Sequence, residues 1–229
     1  VGVDIHYLAW GEPGRPGLVF VHGGAAHAHW WTHVAAQFAG VYRVAAIDLS
    51  GHGDSGRRDY YSLATWCEEV VTVAEDADMA GPPIVIGHSM GGFVALATAA
   101  TRGDQIAGAV ILDSAVTAPD PEMETGRRSE FTNLKVYPDT ETAIARFRTV
   151  PEQDHYEPFV MAHVAANSLV EVDGGFTWKF DPRIFLPARS AAHDLLPRVA
   201  CRIALFRAEN GLVTADIGAY MYERLGRGA

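Results

Sequence analysis

Gly87-His88-Ser89-Met90-Gly91-Gly92 follows directly on Pro82-Pro83-Ile84-Val85-Ile86 and leads into Phe93-Val94-Ala95-Leu96-Ala97-Thr98-Ala99-Ala100. The first flank is a short, apolar, β-branched run that reads as a buried strand. The second reads as a helix packed on a sheet. A strand that becomes a helix through one serine forces that serine into an unfavourable backbone region. Glycines two residues to either side are needed, because a Cβ there would clash across the turn. Composition alone yields roughly 0.08 Gly-x-Ser-x-Gly patterns in this chain. With its strand-turn-helix context the stretch reads as a presented nucleophile, not a glycine-rich turn.

Outward from this turn, strands and helices alternate. Val3–Trp10 alternates as an edge strand, and Leu18-Val19-Phe20-Val21 is a buried strand entering His22-Gly23-Gly24-Ala25-Ala26. A helix is predicted from about Trp30 to Phe38, then a strand over Tyr42–Ile47. Asp48-Leu49-Ser50-Gly51-His52-Gly53-Asp54-Ser55-Gly56 is a loop by glycine density. Helical spacing runs from Ser62, a predicted N-cap, to Asp78, with Glu68 and Glu69 expected to face solvent. A further buried strand is expected at Ala109–Leu112. Such alternation implies α/β architecture, a mostly parallel sheet flanked by helices. Function then gathers at the carboxyl ends of the strands, where both His22-Gly23-Gly24 and Ser89 fall.

Past residue 117 the texture changes. Pro119–Arg128 is polar and rich in breakers, like a domain exit; helices are predicted over Thr140–Arg148 and Tyr156–Leu169. Asp173-Gly174-Gly175 is a turn before an extended Phe176–Phe180. The core pattern returns at Ile203–Phe206 and a helix near Ala215–Leu225. The expected organisation is a first core part at 1–117, an inserted helical lid at 118–190 and a second core part at 191–229.

Composition excludes several classes. A chain of 229 residues can bury a sizeable core, and 48% apolar with 20% charged residues is ordinary for a globular protein. The formal net charge of −10, with no basic stripe, argues against nucleic acid or an anionic membrane as partner. Cys67 and Cys201 lack metal-ligand spacing and read as two buried thiols in a reducing, cytoplasmic setting. No stretch has transmembrane length, and no signal peptide is visible. A homo-oligomer is compatible with these features.

His22-Gly23-Gly24, Asp48–Ser55, Gly87–Gly92 and Ile111-Leu112-Asp113, in that order, resemble the α/β-hydrolase superfamily over nearly all of the core. The resemblance implies the α/β-hydrolase fold with a lid, Ser89 as nucleophile, and an oxyanion hole from the backbone N–H groups of Gly24 and Met90. Two fixed donors would stabilise the charge that develops on a carbonyl oxygen, each worth about 3 kcal/mol. No cofactor and no metal are implied. Relatives with an aspartate nucleophile, haloalkane dehalogenases and epoxide hydrolases, differ at this serine.

The acid is less direct. The usual position follows the strand Ile203–Phe206, in Arg207-Ala208-Glu209-Asn210-Gly211, and aligns with Gly211, which bears no carboxylate. Some members place the acid after the preceding core strand, which makes Asp113 the first choice and Glu209 the alternative. Asp113 also admits a loop-capping role through hydrogen bonds to backbone N–H groups.

The family's base follows a further strand, yet no histidine follows His193. The expectation is that the last strand, catalytic histidine and final helix lie beyond Ala229. His22 is expected to brace the oxyanion loop, and His52 and His88 to be structural. His155, His163 and His193 are expected at surface or packing positions. His27, His29 and His33 lack a Cys or paired acid and read as helix packing and pocket lining. Phe159, Met161, Phe176 and Trp178 point to an apolar pocket in the lid.

The function that follows is a serine hydrolase cleaving a small carboxylic ester, lactone or related acyl substrate through an acyl-enzyme. The alternatives are a non-catalytic small-ligand-binding member of the fold and a carbon–carbon bond hydrolase. The latter often has Asn where this chain has His88.

Overall fold

The computed structural model describes residues 2–118, 134–150, 152–153, 155–185 and 192–226. Its centre is a six-stranded sheet of β1 (Tyr7–Trp10), β2 (Gly17–Val21), β3 (Arg43–Ile47), β4 (Ile84–His88), β5 (Gly108–Leu112) and β8 (Arg202–Phe206), in the order β1-β3-β2-β4-β5-β8. The edge strand β1 runs antiparallel to β3, and all other pairings are parallel.

Both faces are covered, and strand alternation divides the core. Leu18 and Phe20 of β2, with Val44 and Ala46 of β3, pack beneath α1 (Thr32–Ala35) and its flanking 3-10 turns, alongside Trp31 and Val34. Val19, Val21, Ala45, Ile47, Val85, Ala109 and Ile111 face α2 (Leu63–Asp76), α3 (Met90–Thr101) and α7 (Ala215–Arg224). Continuous burial along β2 is what a strand covered on two faces requires.

Between β5 and β8 the described residues form α4 (Thr140–Ile144), α5 (Pro158–Asn167) and an antiparallel hairpin of β6 (Leu169–Val172) and β7 (Gly175–Trp178). The short α6 (Ala192–Leu195) then leads back to β8. The segment is thus not purely helical, because Gly174 at φ 86° and Gly175 at φ 144° let the chain reverse. The predicted domain exit at Pro119–Arg128 lies outside the described residues.

Several expectations are corrected. The predicted helix Trp30–Phe38 is a continuous run of a 3-10 turn over Ala28–Trp31, one α turn over Thr32–Ala35 and another 3-10 turn over Ala36–Phe38, with no side-chain cap at its start. The edge strand begins only at Tyr7, and the helix from Thr140 stops at Ile144. Ser62 does cap α2, accepting from the Thr65 N–H at 3.1 Å. Glu69, however, points inward: it is fully buried, accepts from the Ser50 N–H at 2.8 Å and pairs with Arg58 at 3.0 Å. Phe159 is 68% exposed, whereas Trp178 meets Tyr137 and Phe147 edge-on. Cys67 is buried and Cys201 half-buried, both as free thiols.

Candidate active site

Strand register sets out the site. Val21 lies level with Ile47 and Gly87, Gly87 with Ile111, and Leu112 with both His88 and Phe206. His22, Asp48, Ser89, Asp113 and Arg207 each come directly after a parallel strand, so they form a row along one edge of the sheet. That edge is the carboxyl side, where open parallel sheets concentrate their chemistry.

Ser89 holds φ 52° and ψ −118°, a conformation that costs a non-glycine residue of order 1–3 kcal/mol. The strain is held by what surrounds it. A Cβ on Gly87 would stand 2.0 Å from the Gly91 carbonyl oxygen, and one on Gly91 2.3 Å from that of Val21. The glycines are therefore steric necessities of strand β4 meeting helix α3. The Ser89 N–H donates to the Leu112 carbonyl at 3.1 Å, tying the bend to β5. The half-buried Ser89 side chain does not cap the helix that follows.

The loop after β2 lies across this bend. A Cβ on Gly23 would meet both Ser89 Cβ and His88 Nδ1 at 3.4 Å. One on Gly24 would meet Met90 Sδ at 3.7 Å and Phe185 Cε1 at 3.1 Å. Glycine at both positions brings the loop's backbone close to Ser89 and Met90. Met90 opens α3, so its N–H has no acceptor within the helix. Phe185 was not singled out from the sequence, because no local pattern announces a contact across 161 residues.

Buried imidazoles and a carboxylate brace the loop. Nε2 of fully buried His22 accepts from the Leu49 N–H at 3.1 Å, so Nδ1 carries the proton and donates to the Gly23 carbonyl at 2.7 Å. Burial lowers the His22 pKa and pushes that of His52, 4.7 Å away ring to ring, well below the ordinary value. Asp48 accepts from the N–H groups of Ala28 at 2.6 Å and Asp54 at 2.9 Å, and from His6 Nδ1 at 2.7 Å. Burial alone would raise its pKa, but the His6 hydrogen bond, the nearby His22 and these amides bring it down to about 2. His6, Asp48 and Asp54 lie close enough to suggest an ion site. Yet Asp48 is occupied on both oxygens, and Lys179 Nζ sits 2.8 Å from Asp54, so the cluster is a structural staple.

Asp113, at φ 47°, closes the row. Its N–H donates to the Phe206 carbonyl at 2.8 Å. Oδ1 accepts from Val213 N at 3.1 Å and Ala208 N at 3.3 Å, and Oδ2 from Leu212 N at 2.8 Å. A carboxylate offers about four lone-pair sites, so Oδ2 retains one. A Cβ on Gly211 would stand 2.2 Å from Asp113 Oδ2 and 2.4 Å from its Cγ. The Asp113 carboxylate thus fills the space into which a side chain at 211 would project. Glu209 is exposed on the same loop.

The remaining histidines are dispersed. His88 is exposed beside Ser89, His33 and His155 are exposed elsewhere, and His193 Nε2 lies 3.0 Å from Asp194. His27 is buried against Ser168 Oγ at 2.8 Å, and burial takes its pKa down to about 3. His29 meets His163 of α5. Among the described residues no helix is long and apolar enough to cross a membrane.

The chain is similar to several known proteins. The chain is 29% identical to lipase LipV of Mycobacterium tuberculosis over 237 residues, covering 98% of this chain and 87% of that protein. It is 35% identical to a monoacylglycerol lipase of Mycolicibacterium smegmatis over 127 residues, 52% of this chain and 45% of that protein. A thioesterase domain from the curacin biosynthetic pathway superposes with a TM-score of 0.79 at 25% identity, covering 98% of this chain and 86% of the other. The model of the alpha/beta hydrolase family matches residues 18–225. With its parallel sheet, its strained serine between β4 and α3, and a family match spanning nearly its whole length, the chain belongs to the alpha/beta hydrolase family.

Proposed function

We propose that the protein is a serine hydrolase that cleaves a small carboxylic ester, lactone or related acyl compound through an acyl-enzyme. The observation that carries the reading is Ser89 at φ 52°, facing the glycines of the loop after β2. Ser89 Oγ attacks the acyl carbon, and the carbonyl oxygen becomes an oxyanion between the N–H groups of Gly24 and Met90. A general base takes the Ser89 proton and passes it to the departing alcohol as the intermediate collapses. The same base then deprotonates the water that attacks the acyl-enzyme and returns that proton to Ser89 Oγ as the acid leaves. The lipase names of the two relatives support an ester substrate.

Proton transfer calls for an imidazole between Ser89 Oγ and a carboxylate. His22 does not qualify, because its Nε2 is consumed by the Leu49 amide. Asp113 is the acid of this reading, with its free lone-pair site on Oδ2 available to orient the base. Residues 118–190 act as the lid that shapes the substrate, and Phe185 above Gly24 gives the acyl side an apolar wall.

A fluorophosphonate probe applied to the full-length protein tests this reading. Labelling of Ser89, lost in Ser89→Ala together with hydrolysis of short acyl esters, is the expected result. Absence of both labelling and turnover in the folded wild-type protein overturns it.

A further inference from the structure

Two histidines that the proposed hydrolysis does not use meet between the core and the inserted segment. His29 lies in the 3-10 turn that follows the Gly23-Gly24 loop, and His163 lies on α5. His29 Nδ1 and His163 Nε2 are 3.2 Å apart, with ring centroids 5.1 Å apart and planes at 60°. We propose that His29 and His163 form a two-imidazole site for a borderline transition-metal ion of the Zn²⁺, Ni²⁺ or Cu²⁺ class, which pins α5 to the turn beside the Gly23-Gly24 loop.

The separation is the first argument. Two nitrogens bound at about 2.05 Å to one tetrahedral ion stand about 3.3 Å apart, which matches the pair already formed. Bringing both lone pairs onto a common ion needs each ring to tilt by about 35° from the nitrogen–nitrogen line. The exposed His163 can make that turn without disturbing the core.

Preorganisation is the second. The turn is fixed independently of any ion, since the buried Ala28 donates its N–H to Asp48 at 2.6 Å. The far end of α5 is fixed too, because Ser168 Oγ, 2.8 Å from His27 Nε2, also bonds the Val164 carbonyl at 2.7 Å. The backbone segments that carry the two imidazoles are therefore held in place before any ion arrives.

The third argument is chemical. Among the described residues, the histidines with a carboxylate in salt-bridge range are His6 and His193, not His29 or His163. Among the described residues no third His, Cys, Asp or Glu joins the pair to make a three-ligand group, so water completes the coordination. Imidazole suits these ions and does not suit Mg²⁺ or Ca²⁺. The nearby His27 and His33 fall outside the pair, which is why helical spacing within residues 27–33 does not reveal it.

Thermal unfolding of the full chain with Zn²⁺ alone reads the site without reference to catalysis. Zinc at about ten times its Kd should raise Tm by about 3 °C, reversed by EDTA. His163→Gln and His29→Asn should each abolish the rise, while His193→Gln keeps it. His163 is exposed, so its variant is expected to fold and keep the metal-free Tm within about 2 °C. Retention of the full rise in either pair variant, or no rise in the wild type at about 1 mM Zn²⁺, overturns the proposal. Because Ser89→Ala should bind zinc as the wild type does, failure here and failure of the hydrolase reading are separate results.

Discussion

A carboxylate serves a catalytic imidazole by where its oxygens stand, not by which residue carries them. In the proposed hydrolase Gly211 and Asp113 divide that task, one providing room and the other charge, 98 positions apart. Asp113→Asn should lower kcat/KM on a short ester by about 10²–10⁴-fold, while Glu209→Gln leaves it within about threefold. The double variant Asp113→Gly with Gly211→Asp should recover part of that loss, since Gly211 needs no left-handed φ and its side chain would enter the vacated space. Full activity of Asp113→Asn would remove Asp113 from the proposed machinery. The sequence reveals the glycine at 211 and the acid at 113 separately. What it does not reveal is that they interlock, because that depends on the register of β5 against β8 and not on any local pattern.

At the scale of an element, α2 carries two neighbouring acids with opposite fates. Glu68 reaches half-exposed to Arg102, whereas Glu69 is fully buried between the Ser50 amide and Arg58. Surface ion pairs contribute about 0–1 kcal/mol, but removing one partner of a buried pair strands the other charge at about 3–5 kcal/mol. Urea unfolding should therefore find Glu69→Gln destabilised by about 3 kcal/mol and Glu68→Gln by less than about 1 kcal/mol. Equal costs would contradict the described packing. Adjacent residues on a helix turn by about 100°, so periodicity separates Glu68 from Glu69 only near the rim of the buried face. The partner that makes burial tolerable, Arg58, lies in a loop with no pattern of its own. Similarly, the segment 28–38 has helical spacing but no capping side chain at its start, and it runs as successive 3-10 and α turns.

For the whole molecule, neutral histidines set the response to acid. His22, His27 and His52 are buried with lowered pKa values, His27 near 3. The unfolded chain protonates them below about 6.5, so the unfolded state then binds more protons and stability decreases as pH decreases. The stabilisation is complete above about 6.5 and is lost at up to about 1.4 kcal/mol per pH unit per histidine as pH drops. Asp48, held near 2, adds a contribution present above its ordinary 3.8 and lost as pH falls toward 2. His6 runs the other way: with a raised pKa, its contribution is complete below 6.5 and lost as pH rises through its folded value. The urea midpoint should thus fall steeply between pH 6.5 and pH 4.5, less steeply in His27→Gln. An identical slope in that variant would show that His27 is not among the groups responsible. The core order of strands and helices was legible from apolar runs, because burial on two faces leaves an unbroken signal. The hairpin Leu169–Val172 with Gly175–Trp178 was only half legible, since the helical spacing from Tyr156 runs up to Leu169, where the first strand begins.

Ser89 and Asp113 each hang by their own amide from the adjoining strand, through the carbonyls of Leu112 and Phe206. The sheet is consequently a ruler as well as a floor: the gap between hydroxyl and carboxylate is measured out in rungs of one ladder. A slip of β5 would misplace both groups at once, so this machinery has no half-assembled form that keeps one and loses the other.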